Sequence, residues 1–395
     1  MKALRLQNRK KCCGCGACRA SCPKGAIAML PDEEGFLQPV VDAAKCVQCG
    51  KCEAVCPVLH PGKPRKPLAV YAAKAKDDEL RWGSASGGVF TVLARDVLKR
   101  GGVVFGAGFE RPTWRVIHKA AANERELDDL RGSKYVQSDT GDTFKEAKFY
   151  LDAGREVLYS GCPCQIAGLK NFLGKDYSNL LTVDLICHGV PSPLAWRKYL
   201  ECREKDVGAK ITRILARRCC GWREFAISLE FANSGEIAYS KSWEGDNYIR
   251  GYFAYWFLRK CCHKCQFRLS DRFADITIGD YMLIDAVRAG FGDDGGVSMF
   301  TINDREGNSK LSLLLDQCNA FEIDYERAKR DNYPIVRNPS CSRLRKDFFR
   351  QIRDHAYDNV FERLSNRRSS SLIIHLLWWL KRLVFNREVN KFRIR

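Results

Sequence analysis

From residue 68 to about residue 300, short apolar runs alternate with longer stretches of helical period, so polarity alone outlines most elements. Val70–Ala75 reads as a buried strand. Ser84-Ala85-Ser86-Gly87-Gly88 then precedes Val89, Phe90, Leu93, Val97 and Leu98, whose spacing predicts a helix. Ser86 is the residue type expected to cap it, and the two glycines leave its first N–H groups unshielded. Such a start favours an anion, for example a cofactor pyrophosphate; the bland alternative is a plain capped helix. Gly101–Gly106 turns into a second strand, and a helix follows around 142–153. Glu156–Ser160 reads as a buried strand that ends in Gly161-Cys162-Pro163-Cys164-Gln165, with a helix from Ile166 to Phe172. Leu180–Ile186 is a further strand ending in Cys187-His188-Gly189. Cys261-Cys262-x2-Cys265 precedes a strand at Asp275–Gly279 that ends at Asp280. This alternation predicts a mixed α/β sheet in an α+β chain, with both Cys162/Cys164 and Cys187 at C-terminal strand ends, where such sheets place ligands.

Before residue 68 the periodicity lapses and a repeat replaces it. Cys12, Cys15, Cys18 and Cys22 are spaced C-x2-C-x2-C-x3-C with Pro23 next, and Cys46, Cys49, Cys52 and Cys56 repeat the spacing with Pro57 next. This is the pattern of a bacterial two-cluster ferredoxin, in which the fourth cysteine of each run serves the other cluster. Three closely spaced thiolates wrap one cubane, and the small Gly16 and Gly50 let backbone N–H groups approach its sulfurs. The assignment is Cys12, Cys15, Cys18 and Cys56 to one [4Fe–4S] cluster, and Cys46, Cys49, Cys52 and Cys22 to the other. A zinc module would use two C-x2-C knuckles and not a three-cysteine run closed by Cys-Pro. Four prolines in 57–67 make a stiff linker. The expected organisation is a ferredoxin domain over 1–60, a linker over 61–67, a large domain over 68–340 and a basic helical tail over 341–395.

Composition narrows the chemistry. The 395 residues include 20 cysteines, about 5%, too sparse for a disulfide scaffold of this length. Met1–Lys11 carries no apolar core of a secretory signal, so a cytoplasmic location and metal or cluster ligation are expected over disulfides. No run of about 18 apolar residues occurs, which disfavours a membrane span. The formal charge of +19 brings no recognised nucleic-acid fold with it, and nucleic acid is not an expected partner; basic charge equally suits acidic ferredoxins or a polyanionic cofactor. Residues 366–395 hold eight Lys/Arg and one Glu. Within them Leu372–Phe385 is apolar apart from His375, Lys381 and Arg382, and Trp378 and Trp379 suit a headgroup interface. Peripheral membrane contact and packing on protein remain as alternatives for this helix.

Cys164, Cys187, Cys262 and Cys265 could converge on a third cluster, though spacing alone equally admits zinc or structural thiols. Here SASGGVFT (84–91), RGSKYVQS (131–138), YSGCPCQIAGLKNFLG (159–174), VDLICHGVPSP (183–193) and CCHKCQFRLSDRFADITIGDY (261–281) resemble, in order, the coenzyme F-420 hydrogenase/dehydrogenase beta-subunit family. The resemblance implies a flavoprotein with FAD and one [4Fe–4S] cluster in the large domain, held by Cys164, Cys187, Cys262 and Cys265. It places flavin contacts at Ser84, Ser86, Gly87, Gly88, Lys134, Tyr135 and Asp280, and makes coenzyme F-420 a possible small-molecule substrate. Two departures stand out: Cys162 occupies a position commonly Thr, leaving Cys162 and Cys164 as rival ligands, and Met282 follows Gly-Asp-Tyr where an aromatic is usual. His188 is a weak candidate proton donor beside Cys187; its bland alternative is a strand-end hydrogen bond. The expected function is electron transfer between ferredoxin-type clusters and FAD for a two-electron reaction, with ferredoxin or another redox protein as partner. The alternative is an electron-transfer subunit whose partner does the chemistry.

Overall fold

The computed structural model describes residues 10–217, 222–233, 235–268 and 270–369. The first segment forms a short hairpin, β1 (Ile27–Pro31) with β2 (Leu37–Val41), and two short helices, Ala17–Ser21 and Lys51–Ala54. Each helix starts from a left-handed glycine at the same point of the repeat, Gly16 at φ +80° and Gly50 at φ +75°.

The body is an eight-stranded sheet of β3 (Ala69–Ala75), β4 (Val103–Glu110), β5 (Arg115–Ala121), β6 (Val157–Gly161), β7 (Leu180–Leu185), β11 (Ile276–Asp280), β12 (Ser298–Ile302) and β13 (Cys318–Glu322), in the order β13-β3-β12-β11-β7-β6-β4-β5. β4, β6, β7 and β11 run parallel to their neighbours in that series, and antiparallel strands flank them. Alternate residues serve opposite faces. Val104 and Leu158 join a core with Val89, Leu93 and Val97 of the helix Val89–Lys99. Val103, Phe105, Val157 and Tyr159 join a core with Phe144, Ile166 and Leu169, and Cys13, Cys15 and Ala17 belong to that same core. Burial on both faces is why these strands read as continuous apolar runs. The cysteine-rich segment is thus packed into the body. The linker is laced down too: Arg65 and Arg272 exchange backbone hydrogen bonds of 2.7 Å.

A second sheet, β8 (Ile211–Ala216), β9 (Ile227–Phe231) and β10 (Ile237–Lys241), is antiparallel and was not expected from the sequence. It shares an aromatic core with the helix Pro193–Val207 and with Phe348, Tyr357, Val360, Phe361 and Leu364. The last five belong to helices Arg345–Gln351 and Tyr357–Ser369, so this part of the charge-based tail is core, because its apolar residues recur at helical spacing. The amphipathic stretch 372–385 lies outside the described residues. Among the described residues no helix is long and apolar enough to cross a membrane.

Two local expectations need correction. Gly88, at φ +90°, is the N-cap of the helix Val89–Lys99, and Ser86 instead donates its hydroxyl to the Val297 carbonyl at 3.1 Å. The helix expected at Ile166 begins at Pro163, because proline suits a first helical position and the Gln165 Oε1 accepts from the Cys162 N–H at 2.9 Å.

Candidate redox site

The two halves of the cysteine repeat differ in their surroundings. Cys12, Cys13, Cys15, Cys18 and Cys56, with Gly14, Gly16, Met29, Pro57 and Val58, line a cleft enclosing about 300 Å³, part of it open to solvent. Cys56 reaches it from the second run, as the cross-over pattern requires. The Gly14 N–H donates to the Cys12 Sγ at 3.4 Å, and the Ala26 N–H to the Cys22 Sγ at 3.3 Å. Burial pushes the Cys18 thiol up to about 12 and the Cys56 thiol up to about 11, so metal ligation here must displace protons. By contrast Cys22, Cys46 and Cys52 are half-buried and Cys49 is exposed. Cys52 and Cys22 influence one another electrostatically, which brings the fourth cysteine of the first run to the second set.

The buried half faces the large domain. Gly168, in the helix Pro163–Leu173, lies so close to Cys15 that a Cβ there would stand 2.9 Å from the Cys15 Sγ. Thr140 Oγ1 donates to the Cys15 carbonyl at 3.0 Å and Gln137 Nε2 to the Cys13 carbonyl at 2.9 Å. Cys13, which the C-x2-C-x2-C-x3-C spacing leaves out, has its thiol hydrogen-bonded to both Cys15 and Cys164. Cys162 is hydrogen-bonded to Cys187 and close to Cys262 and Cys265, whereas Cys164 has Cys13 as its main partner and feels Cys162 and Cys265. Cys162, Cys187, Cys262 and Cys265 therefore lie together, with Cys164 between them and the first cleft. The Gly189 N–H donates to the Cys187 Sγ at 3.4 Å. The described cysteines are all free thiols, and among the described residues no three His, Cys, Asp or Glu side chains are arranged around a single ion. An all-thiol set with backbone N–H groups aimed at sulfur has the donor chemistry of an iron–sulfur site.

Beyond Cys187 the expected flavin contacts partly converge. Asp280, at the end of β11, is gripped by Arg217 (Nη1 to Oδ2, 2.6 Å; Nη2 to Oδ1, 3.2 Å) and by Trp222 Nε1 at 3.1 Å. Burial would raise its carboxyl, but Arg217, Trp222 and Ser86 hold it below the usual carboxylate range. Arg217 stacks on Phe225 at 4.2 Å. The Tyr135 hydroxyl is buried among these groups and makes no well-aligned hydrogen bond, though Ser133 and Arg217 lie within reach; burial raises it, Arg217 opposes this and Asp280 adds to it. A buried hydroxyl without a well-aligned partner, beside a carboxylate, suits a bound polar ligand. Lys134 lines a separate concavity of about 500 Å³ with Phe109, Trp114, Arg131 and Arg213. Ser84 Oγ, in contrast, is occupied by the Leu80 carbonyl at 2.8 Å and the Thr91 hydroxyl at 3.0 Å. Gly87 is needed for close packing, since a Cβ there would meet the Ala73 carbonyl at 2.3 Å. His188 is half-buried, and burial, with Arg268 next, lowers it to about 4, so it is neutral near pH 7. Arg217, Trp222 and Arg259 were not singled out by sequence; each acts through partners more than 50 residues away, and no local signal marks them.

Known proteins converge on the same parts. The 4Fe-4S dicluster domain matches residues 11–59. The N-terminal and C-terminal parts of the coenzyme F420 hydrogenase/dehydrogenase beta subunit match residues 70–145 and 154–324. No curated protein matches the chain. Among solved structures, one described as a xenon derivative of the F420-reducing [NiFe] hydrogenase complex from Methanosarcina barkeri is similar at 18% identity and a TM-score of 0.45, over 78% of this chain and 95% of that one. With both family parts in order over most of the large domain, the chain belongs to the coenzyme F420 hydrogenase/dehydrogenase beta-subunit family of oxidoreductases and carries a 4Fe-4S dicluster domain at its N-terminal side.

Proposed function

We propose that this chain is an iron–sulfur flavoprotein oxidoreductase that moves electrons between its cysteine-held clusters and FAD, for a two-electron reduction or oxidation of a small molecule such as a deazaflavin. A [4Fe–4S] cluster carries one electron and a flavin one or two, so the pair would match single-electron carriers to two-electron chemistry. The observation that carries the reading is continuity: the Cys12/15/18/56 cleft touches Cys164 through Cys13, the Cys187 group follows, and Asp280, Arg217 and Tyr135 lie beyond it. Cys46, Cys49, Cys52 and Cys22 hold the outermost cluster, where the exposed Cys49 offers an entry point for ferredoxin or another redox protein. Cys187, Cys262 and Cys265 hold the third, with Cys162 or Cys164 completing it. Tyr135, Ser86, Gly87, Gly88 and Asp280 bound the flavin, and Lys134 and Ser84 are outer contacts. His188, lowered to about 4 by burial, carries no charge near pH 7.

Anaerobic reconstitution followed by iron, sulfide and flavin quantitation tests this reading. About twelve irons and one flavin per chain are expected; about eight irons removes the third cluster, and protein without flavin refutes the flavoenzyme. The family's description as a beta subunit favours a second reading, an electron-transfer subunit acting on a partner. Turnover of the isolated chain with an artificial electron donor separates the two.

A further inference from the structure

Arg259 is among the largest fully buried side chains of the protein. Its backbone N–H donates to the Val190 carbonyl at 3.0 Å, and its own carbonyl accepts from the Cys262 N–H at 3.0 Å, so it is anchored to the loop of the large domain's cysteines. The side chain crosses to the ferredoxin-like segment. Nε donates to the Cys12 carbonyl at 2.8 Å, Nη2 to the Leu37 carbonyl at 2.9 Å, and Nη1 to the Gln137 Oε1 at 2.9 Å. The guanidinium lies over Phe36 at 5.3 Å. Gly14 makes room for it: at φ +69°, a Cβ there would stand 2.7 Å from Nη1.

Every acceptor of this guanidinium is neutral, and among the described residues no carboxylate pairs with it. Of the other buried arginines, Arg217 has Asp280 and Arg345 has Glu34, while Arg268 and Arg272, like Arg259, form no ion pair among the described residues. An uncompensated buried cation is strongly disfavoured unless an anion is meant to lie beside it. Thiols flank the guanidinium on both sides, Cys12 and Cys13 of the first cleft and Cys261 and Cys262 of the large domain, all close enough to interact with its charge.

We propose that Arg259 is a positioning residue shared by two redox sites, a single buried cation that stabilises the negative charge added on reduction at both the Cys12/15/18/56 site and the Cys187/262/265 site. This rests on the reading that those cysteines hold [4Fe–4S] clusters. One electron enters each site, and the guanidinium keeps all its protons throughout. The charge favours the reduced form on both sides, so both sites are easier to reduce and their potentials are tied together. The outer Cys22/46/49/52 site is held by half-buried or exposed thiols and serves as an internal reference.

The test is an anaerobic potentiometric titration followed by electron paramagnetic resonance, on the reconstituted full chain. Wild-type iron and sulfide content is read first, and its failure to exceed about eight irons would remove the third cluster and with it the underlying reading. Arg259→Met should lower the reduction equilibrium of both flanking sites at least tenfold, about 59 mV for a one-electron couple, and leave the outer site unmoved. Gln137→Glu keeps the arginine but places a carboxylate on it, and should shift the same two sites in the same direction. Arg259→Lys retains the charge and should restore most of the lost potential. Unmoved potentials, or an equal shift of all three sites, would overturn the proposal. So would loss of clusters in Arg259→Met together with a fully loaded Gln137→Glu at wild-type potential, which would make Arg259 a structural clamp alone.

Discussion

Glu34 fixes how the cysteine-rich segment sits on the body, and its removal has a calculable effect. It lies in the turn between β1 and β2, where Asp32 Oδ1 accepts from the Glu34 and Phe36 N–H groups at 2.9 Å each. Its carboxylate takes Arg345 Nη1 at 2.9 Å in a two-pronged pair and Lys260 Nζ at 3.0 Å. Arg345 is 6% exposed and Glu34 14%, whereas Lys260 is 50% exposed. Breaking a buried pair by removing one partner costs about 3–5 kcal/mol, because the other charge is left without compensation. A half-exposed lysine contributes about 1 kcal/mol or less. Glu34→Gln should therefore destabilise the protein by about 3–5 kcal/mol at pH 7, against about 1 kcal/mol or less for Lys260→Ala. A double-mutant cycle should give a larger coupling energy for Glu34/Arg345 than for Glu34/Lys260. Burial would raise the Glu34 carboxyl, but Arg345 and then Lys260 hold it below its ordinary value of 4.5. A depressed folded value means the stabilisation is complete above pH 4.5 and is lost as pH falls below it. The Glu34→Gln deficit should thus be constant from pH 7 to 5 and shrink on further acidification. Urea unfolding of the anaerobic holoprotein, monitored by circular dichroism, reads both effects; a deficit under about 1 kcal/mol at pH 7 would refute the assignment of this pair as the clamp.

Three further outcomes follow from the same geometry. Gly168→Ala puts a methyl group 2.9 Å from the Cys15 Sγ, and should destabilise by about 1–3 kcal/mol and lower iron content at the first site, as read by iron assay and calorimetry. Asp280→Asn leaves Arg217 buried without its anion and disturbs the pocket around the Tyr135 hydroxyl; flavin retention on gel filtration should fall at least tenfold, and wild-type retention would dissociate this cluster from flavin binding. Asp184 is fully buried, and burial raises it to about 6 against the pull of Arg272. A raised carboxyl favours the protonated folded state, so stability should fall by roughly 3 kcal/mol as pH rises from about 4 to 6. Asp184→Asn should remove that slope in pH-dependent unfolding, and an unchanged slope would place its origin elsewhere.

The local chemistry was written in the sequence. Cysteine spacing is a property of a dozen consecutive residues, so it announced the dicluster domain without any tertiary information. Strands buried on both faces appear as unbroken apolar runs, and β3, β4, β6, β7 and β11 were legible for that reason. Where a local rule had two solutions, packing chose between them. Ser86 is a good cap by type, but Gly88 takes the left-handed turn and Ser86 turns to Val297. Residues 345–369 look basic when charge is counted, yet Phe348, Val360, Phe361 and Leu364 complete an aromatic core whose other half lies about 90 residues or more earlier. Cys162 and Cys164 are equivalent by spacing; only the fold turns one toward Cys187 and the other toward Cys13. The buried arginines are the extreme case. A guanidinium's effect depends on what lies within a few ångströms of it, and Arg259 finds Cys12 across 247 positions of chain, a distance no periodicity encodes.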